Sequence, residues 1–217
     1  MQRGESVKYR IRFRHMDVNI LGFMPALLPV ALSPGASFTL AISSALAGGR
    51  KGLVKTLTGT ALGIFTHALL IGMGITAVIV SSPAMFSALQ MTGTLYLLWL
   101  GAMLIRSGIT AKQHQAQPAA LTFTVTVRQA FLANVLNPKA IIFYLTVVSR
   151  FTGSQGGVVN YLALASVHVV VMALWLSILS YALVFSAKKA DPLWLKTWVN
   201  LAGGIILIFY SLHSLLS

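Results

Sequence analysis

The sequence contains no cysteine and only three acidic residues among its 217. The missing thiols exclude disulfides, thiolate metal sites and a cysteine nucleophile. The three acids are Glu5, Asp17 and Asp191, and none of them lies within a long apolar run. Only 9% of the residues are charged, against about 25% in soluble domains. A polar surface therefore cannot cover this chain, and we expect lipid to be its main solvent.

Motifs for enzymatic chemistry are also missing from the sequence. It has neither the phosphate loop G-x-x-x-x-G-K-[ST] nor the zinc motif H-E-x-x-H. An enzyme inside the membrane would have to use two histidines, one lysine and hydroxyl groups. We therefore predict no enzymatic activity, no metal and no cofactor.

Long apolar runs make up most of what is present: 57% of the residues are hydrophobic. A membrane helix needs about 20 mainly apolar residues, and the runs do not alternate as β-strands would. The sequence predicts an all-α integral membrane protein with six transmembrane helices. Their approximate ranges are 19–45, 57–80, 86–105, 129–149, 158–186 and 197–216.

The net charge of +13 reflects basic residues that lie mostly between these runs. Basic linkers stay in the cytoplasm, and the first, third and fifth linkers carry most of the Lys and Arg. The first linker holds Arg50, Lys51 and Lys55, which are also placed to contact anionic lipid. We therefore predict that both termini lie outside, and we expect no nucleic-acid partner.

The first 15 residues disagree with this topology because they carry five Lys and Arg residues. A start at Met16 would remove the conflict, so we predict a basic extension, 1–15, upstream of the true start, and a single membrane domain, 16–217. A signal peptide is the alternative interpretation, but its apolar run would be longer than usual and would contain Pro34-Gly35.

The two halves of the chain resemble each other. "LSPGASF" in the first span corresponds to "LNPKAIIF" in the fourth, His67 in the second to His168 in the fifth, and Gly93 to Gly203. We predict two three-helix repeats, about 16–108 and 128–217, joined by a linker of about 109–127. Because three is odd, the repeats would be inverted in the membrane, which is a recurring plan of secondary transporters.

Each of the two similar motifs places a proline inside an apolar run. Proline removes a backbone donor and frees the carbonyl four residues earlier. Broken helices in transporters use such ends to hold ions and zwitterions near the membrane midplane. Ser33 and Asn137, beside the two prolines, are therefore candidate binding residues. The alternative is that both prolines only kink helices for packing.

The stretches "SPGASFTLAISSALAGGRKGLVKTLTGTALGIFTHALL", "LQMTGTLYLLWLGAMLIRSG" and "FLANVLNPKAIIFYLTVVSRF" resemble the LysE/RhtB family of bacterial amino-acid exporters. The resemblance covers nearly all of 16–217. It implies a proton-driven secondary exporter of amino acids or close derivatives in the bacterial inner membrane. The substrate-binding candidates are then Ser33, Pro34, Gly35, Ser37, Asn137, Pro138 and Lys139.

The chain departs from this family where Ala36 and Ser37 replace a second proline and an acid or amide. Without an acid in any span, the ammonium group of a substrate would have to meet carbonyls, hydroxyls or aromatic faces such as those of Phe38, Tyr144 and Trp99. We therefore expect neutral amino acids rather than basic ones. The alternatives are a channel, an ion or metal exporter, or a non-transport membrane subunit; a homodimer is plausible.

Three titratable side chains lie well inside predicted spans. Lys139 is a candidate for binding the substrate carboxylate, or else it snorkels to the interface. His67 and His168 are candidates for carrying a coupling proton, or else they are neutral residues that bond two helices together. Gly59, Gly63 and His67 recur every four residues, so we expect them to share a face that another helix approaches closely.

Overall fold

The structure is a computed structural model that describes residues 18–32, 35–113, 125–153, 157–182 and 192–216. The residues in these ranges form helices and no strands, which confirms the all-α prediction. The predicted extension 1–15, the start at Met16, and Ser33 and Pro34 lie outside the described residues. The helices are α1 (Ile20–Leu32), α2 (Ala36–Gly72), α3 (Ile75–Ser81), α4 (Pro83–Gln113), α5 (Val127–Val135), α6 (Pro138–Ile142), α7 (Val158–Ser180) and α8 (Pro192–Leu216).

Several of these helices have the length and composition of membrane spans. The helices Ala36–Gly72, Pro83–Thr110 and Val158–Ser180 qualify singly, and Val127–Val135 with Pro138–Phe151 qualifies as a pair bent by 57°. Large apolar side chains point outward: Phe209 on α8 is 70% exposed and Ile178 on α7 is 62% exposed. Because such a surface suits lipid rather than water, the protein is a multi-pass membrane protein.

Helix α2 doubles back on itself at Gly49, which is non-helical with φ 57° and ψ −144°. We call residues 36–48 α2a and residues 50–72 α2b. The Ser44 hydroxyl donates to the carbonyl of Gly52 at 2.9 Å. In a continuous helix, eight residues would separate the two by about 12 Å. The reversal therefore takes one residue with positive φ, a conformation that glycine adopts without a steric penalty.

Two predicted boundaries differ from the structure. Arg50, Lys51 and Lys55 were expected in a loop, but they lie on the first turns of α2b. The second predicted span, 57–80, is interrupted at Met73-Gly74, where Gly74 has φ 76°, and a separate short helix, α3, follows. Apolar composition alone does not reveal the turn at Met73-Gly74, because the residues on both sides of it are apolar.

Close approach of α2b to α5 depends on two glycines. A Cβ atom on Gly59 would clash with the backbone oxygen of Val127, and one on Gly63 would lie 2.6 Å from Asn134 Oδ1. The predicted approach of another helix to the Gly59, Gly63 and His67 face is therefore confirmed. It brings α2b against the segment that leads into the second proline motif.

The remaining helices pack in a similar way. Helix α4 lies against α8, and a Cβ on Gly204 would lie 2.6 Å from the carbonyl of Gly101. Helix α1 packs on α7. One buried cluster joins α1, α2 and α7 through side chains such as Phe23 and Leu164, and a second joins α2, α4 and α8 through side chains such as Leu40 and Leu207.

Candidate functional site

The second proline motif breaks a helix, as predicted. Helix α5 ends at Val135, the chain turns, and α6 begins at Pro138. Asn137 caps α6, since its Oδ1 accepts a hydrogen bond from the backbone N–H of Lys139 at 3.0 Å. After α6 the chain continues through a π-helical turn, Phe143–Val147, and a 3₁₀ turn, Val148–Phe151.

Pro138 frees the carbonyl of Asn134, four residues earlier. Two other donors lie within hydrogen-bond distance of this carbonyl oxygen. The backbone N–H of Asn137 donates to it at 3.1 Å, and Nε2 of His67 lies 3.1 Å away. Because a carbonyl oxygen only accepts, Nε2 of His67 carries a hydrogen and donates it. His67 therefore gives a second donor to a buried backbone carbonyl whose regular helical donor is missing at Pro138.

Beside this break, the ring of Tyr144 stacks between two imidazoles. Its centroid is 5.8 Å from that of His67 and 5.9 Å from that of His168, with interplanar angles of 27° and 20°. The Tyr144 hydroxyl lies 3.2 Å from Nδ1 of His168. Phe143 adds an edge-on contact to His168 at 5.6 Å. The two histidines thus belong to one aromatic column built from α2b, the π-helical turn and α7.

The first break has a different helix start. Helix α2 begins after Gly35, which has an extended backbone and no side chain to cap the first turn. The Gly35 carbonyl accepts from the N–H of Thr39 at 2.9 Å, so the helix is regular from its first turn. The N-terminus of a helix carries a partial positive charge and unsatisfied N–H groups.

A cavity of about 80 Å³ lies between the two breaks. Of the binding candidates from the sequence, it is lined by Gly35, Ser37, Asn137 and Lys139. Pro138 is buried outside the lining. Ser33 and Pro34 lie outside the described residues. The tertiary structure thus joins two motifs that are about half the chain apart in sequence.

The two histidines differ in their relation to this cavity. His168 is part of its lining, whereas His67 lies behind Asn134 and outside it. Among the aromatic residues expected to meet an ammonium group, Phe38 lines the cavity. Tyr144 is enclosed in the aromatic column, and Trp99 is 47% exposed and packs on Tyr96. Of these three aromatic residues, only Phe38 can contact a ligand in the cavity.

Two polar residues of the lining, Thr60 and Asn134, were missed from the sequence. Both are buried, with 1% and 7% of their surfaces exposed. Two signals could have found them. Thr60 stands two helical turns before His67 on the same face of α2b, and Asn134 is the residue whose carbonyl Pro138 frees. The larger apolar part of the lining includes Ile64, Phe143, Met172 and Leu176.

Comparison with known proteins gives one family and several named relatives. The family model described as LysE type translocator matches residues 28–217. An uncharacterized membrane protein of Vibrio cholerae is 30% identical over 141 residues, which is 63% of this chain and 66% of that protein. No solved structure matches the chain.

Two relatives are named for a transported molecule. The leucine efflux protein of Salmonella typhimurium is 26% identical over 165 residues, covering 75% of this chain and 77% of that protein. The threonine efflux protein of Escherichia coli K12 is 23% identical over 190 residues, covering 86% and 92%.

Proposed function

This chain belongs to the LysE type translocator family, and from that membership we propose that it is a secondary active exporter of neutral amino acids in the bacterial inner membrane. The names of the leucine and threonine efflux relatives support this substrate class. The cavity between the two helix breaks is the proposed substrate site.

The observation that carries the proposal is the convergence of two positive features on that cavity. Residues Gly35 and Ser37 bring the start of α2 to its wall, and Lys139 lines the same space from α6. A carboxylate is stabilised by helix N-terminal N–H groups and by an ammonium group. We assign the carboxylate of the amino acid to this end of the cavity.

The rest of the lining favours an uncharged side chain. Ile64, Met172 and Leu176 supply an apolar wall, and no acid is among the described residues that line the cavity. A cavity needs a volume of about 10–15 Å³ to hold one buried water. A cavity of about 80 Å³ therefore has room for a small zwitterion. A cationic side chain would meet no compensating carboxylate, and a neutral one is preferred.

The proposed transport cycle rocks two inverted three-helix repeats around this site. Three packing features support such a repeat. Helix α2 packs on α5 as α1 packs on α7, while α4 packs on α8. Gly93 contacts the carbonyl of Leu136 at one break, and Gly203 contacts Thr39 near the other. The helical reversal at Gly49 then separates spans one and two and makes six spans in total.

Proton coupling is assigned to His168 rather than to His67. His168 lines the cavity, and its Nδ1 lies 3.2 Å from the Tyr144 hydroxyl. A change in its protonation would therefore affect both a bound substrate and the aromatic column. His67 already uses Nε2 to hold the broken helix. If His67 lost the hydrogen on Nε2, its bond to the Asn134 carbonyl would be broken.

Transport by purified protein in proteoliposomes tests the proposal. We expect counterflow of radiolabelled leucine or threonine, competed by other neutral amino acids and weakly by lysine. Lys139→Met should reduce transport at least about tenfold, because a charge-assisted bond to the carboxylate is lost. Lys55→Met is the matched control, since Lys55 is exposed on α2b away from the cavity. Equal transport by both variants would contradict the assigned site, and no transport of any amino acid would contradict the function.

A further inference from the structure

Two buried oxygen atoms of the cavity lining lack hydrogen-bond partners within the described part of the chain. They are Oγ1 of Thr60 on α2b and Oδ1 of Asn134 on α5. The residues are 1% and 7% exposed, so solvent outside the protein does not reach these atoms. Buried polar side chains usually have a partner. Six other buried side-chain atoms of the described residues also lack one, but none of them belongs to a residue that lines the cavity.

The hydroxyl of Thr60 differs from those of two neighbouring threonines on α2b. Thr56 and Thr66 on the same segment donate to the carbonyls four residues earlier, at 3.3 Å to Gly52 and 2.8 Å to Leu62. This local bond is the usual way for a helical threonine to satisfy its hydroxyl in an apolar environment. Thr60 makes no such bond, although its position in the helix would allow one, and it lines the cavity instead.

Asn134 contacts α2b at two points, one through its side chain and one through its backbone. Gly63 lets α5 approach so closely that a Cβ there would lie 2.6 Å from Asn134 Oδ1. His67 holds the backbone carbonyl of the same residue at 3.1 Å. The packing on Gly63 and the bond from His67 together hold Asn134 against α2b, the helix that carries Thr60.

We propose that Thr60 Oγ1 and Asn134 Oδ1 bind the α-ammonium group of the exported amino acid. Both oxygens accept hydrogen bonds, and an ammonium group offers three donors. The described residues that line the cavity include no acid, so neutral oxygens take the place of a carboxylate. This inference rests on the proposed function and completes it, since Lys139 and the start of α2 meet the other end of the zwitterion.

Comparing the binding of an amino acid with that of its deaminated analogue isolates the contribution of the ammonium group. Proteoliposomes containing the full chain are assayed by counterflow of radiolabelled leucine, with 4-methylpentanoate as the competitor that lacks the amino group. Threonine and 3-hydroxybutanoate form the second pair. Thr60→Val and Asn134→Leu remove the acceptors with little change of shape. Thr94→Val is the control, because Thr94 is a buried threonine with an unpartnered hydroxyl outside the cavity.

We expect Thr60→Val and Asn134→Leu each to weaken apparent binding of the amino acid by about tenfold to a hundredfold, as for a lost bond to a charged group. Binding of the deaminated analogue should stay unchanged in both variants, and Thr94→Val should match the wild type. An equal loss for amino acid and analogue, or no loss for the amino acid, overturns the inference while the exporter function stands. Absence of amino-acid transport by the wild type overturns both. Loss of folding in Asn134→Leu leaves Thr60→Val as the deciding variant.

Discussion

The two helix breaks come from similar sequence motifs, but they end in different structures. At the second break, Asn137 caps α6 and His67 donates to the carbonyl that Pro138 frees. At the first break, α2 starts at Gly35 without a side-chain cap, and its first residues face a cavity. We call the second the closed break and the first the open break.

The difference teaches that a broken membrane helix can serve as a scaffold or as a binding surface, depending on what satisfies its ends. Freed backbone groups must find partners wherever lipid excludes water. At the closed break, Asn137 caps the helix start and His67 donates to the freed carbonyl. At the open break, a helix start remains directed at the cavity, where we place the substrate carboxylate.

A substitution that places a carboxylate at the open break should produce the largest loss of transport. Gly35→Asp places a carboxylate beside the start of α2, where it competes with the carboxylate of the substrate. We expect transport in proteoliposomes to fall by about a hundredfold, which corresponds to about 2.7 kcal/mol. Gly35→Ala is the control, because it adds a Cβ but neither charge nor cap. Similar losses in the two variants would mean that the site tolerates no side chain there, and the anion assignment would fail.

The histidine in the cavity should affect energy coupling rather than binding. His168→Gln is expected to abolish accumulation of leucine or threonine driven by a pH gradient, while counterflow without a gradient persists. The physical reason is that exchange requires the substrate site only, whereas accumulation requires a group that gains and loses a proton. His67→Gln keeps a donor for the Asn134 carbonyl and should retain both activities. Coupling lost in His67→Gln and kept in His168→Gln would reverse our assignment.

Removing the His67 donor from the closed break should have the smallest effect on transport. Its main consequence should be a lower free energy of unfolding. His67→Leu leaves the Asn134 carbonyl with the Asn137 N–H alone. We expect the free energy of unfolding to fall by about 0.5–1.5 kcal/mol, the usual net contribution of one hydrogen bond. Thermal unfolding in detergent measures this loss, with the conservative variant His67→Gln as its comparison. Unchanged stability in His67→Leu would show that the break needs no donor from α2b.

Much of the candidate site could be predicted from the sequence. Proline within an apolar run predicted a break beside Asn137, and the family resemblance added Gly35, Ser37 and Lys139 as candidates; all four line the cavity. The four-residue spacing of Gly59, Gly63 and His67 likewise predicted a close helix contact. The break at Pro138 and the close helix contact are confirmed, because the first depends on local chemistry and the second on the helical period.

Other features could not be predicted because they depend on contacts between distant residues. Thr60 and Asn134 look like ordinary polar residues in apolar helices until the packing of α5 on α2b places both in one cavity. His67 and His168 look equivalent in sequence, yet one bonds a freed carbonyl and the other lines the cavity. The reversal at Gly49 was expected as a longer loop.

The sequence by itself determined that this is a helical membrane protein with a helix break at Pro138 and only three acidic residues, because composition and proline chemistry act locally. Only the tertiary structure decided which break is closed and which is open, and which histidine faces the cavity. It did so because a freed backbone group takes its partner from whichever helix lies against it, and glycines such as Gly59 and Gly63 determine which helix that is.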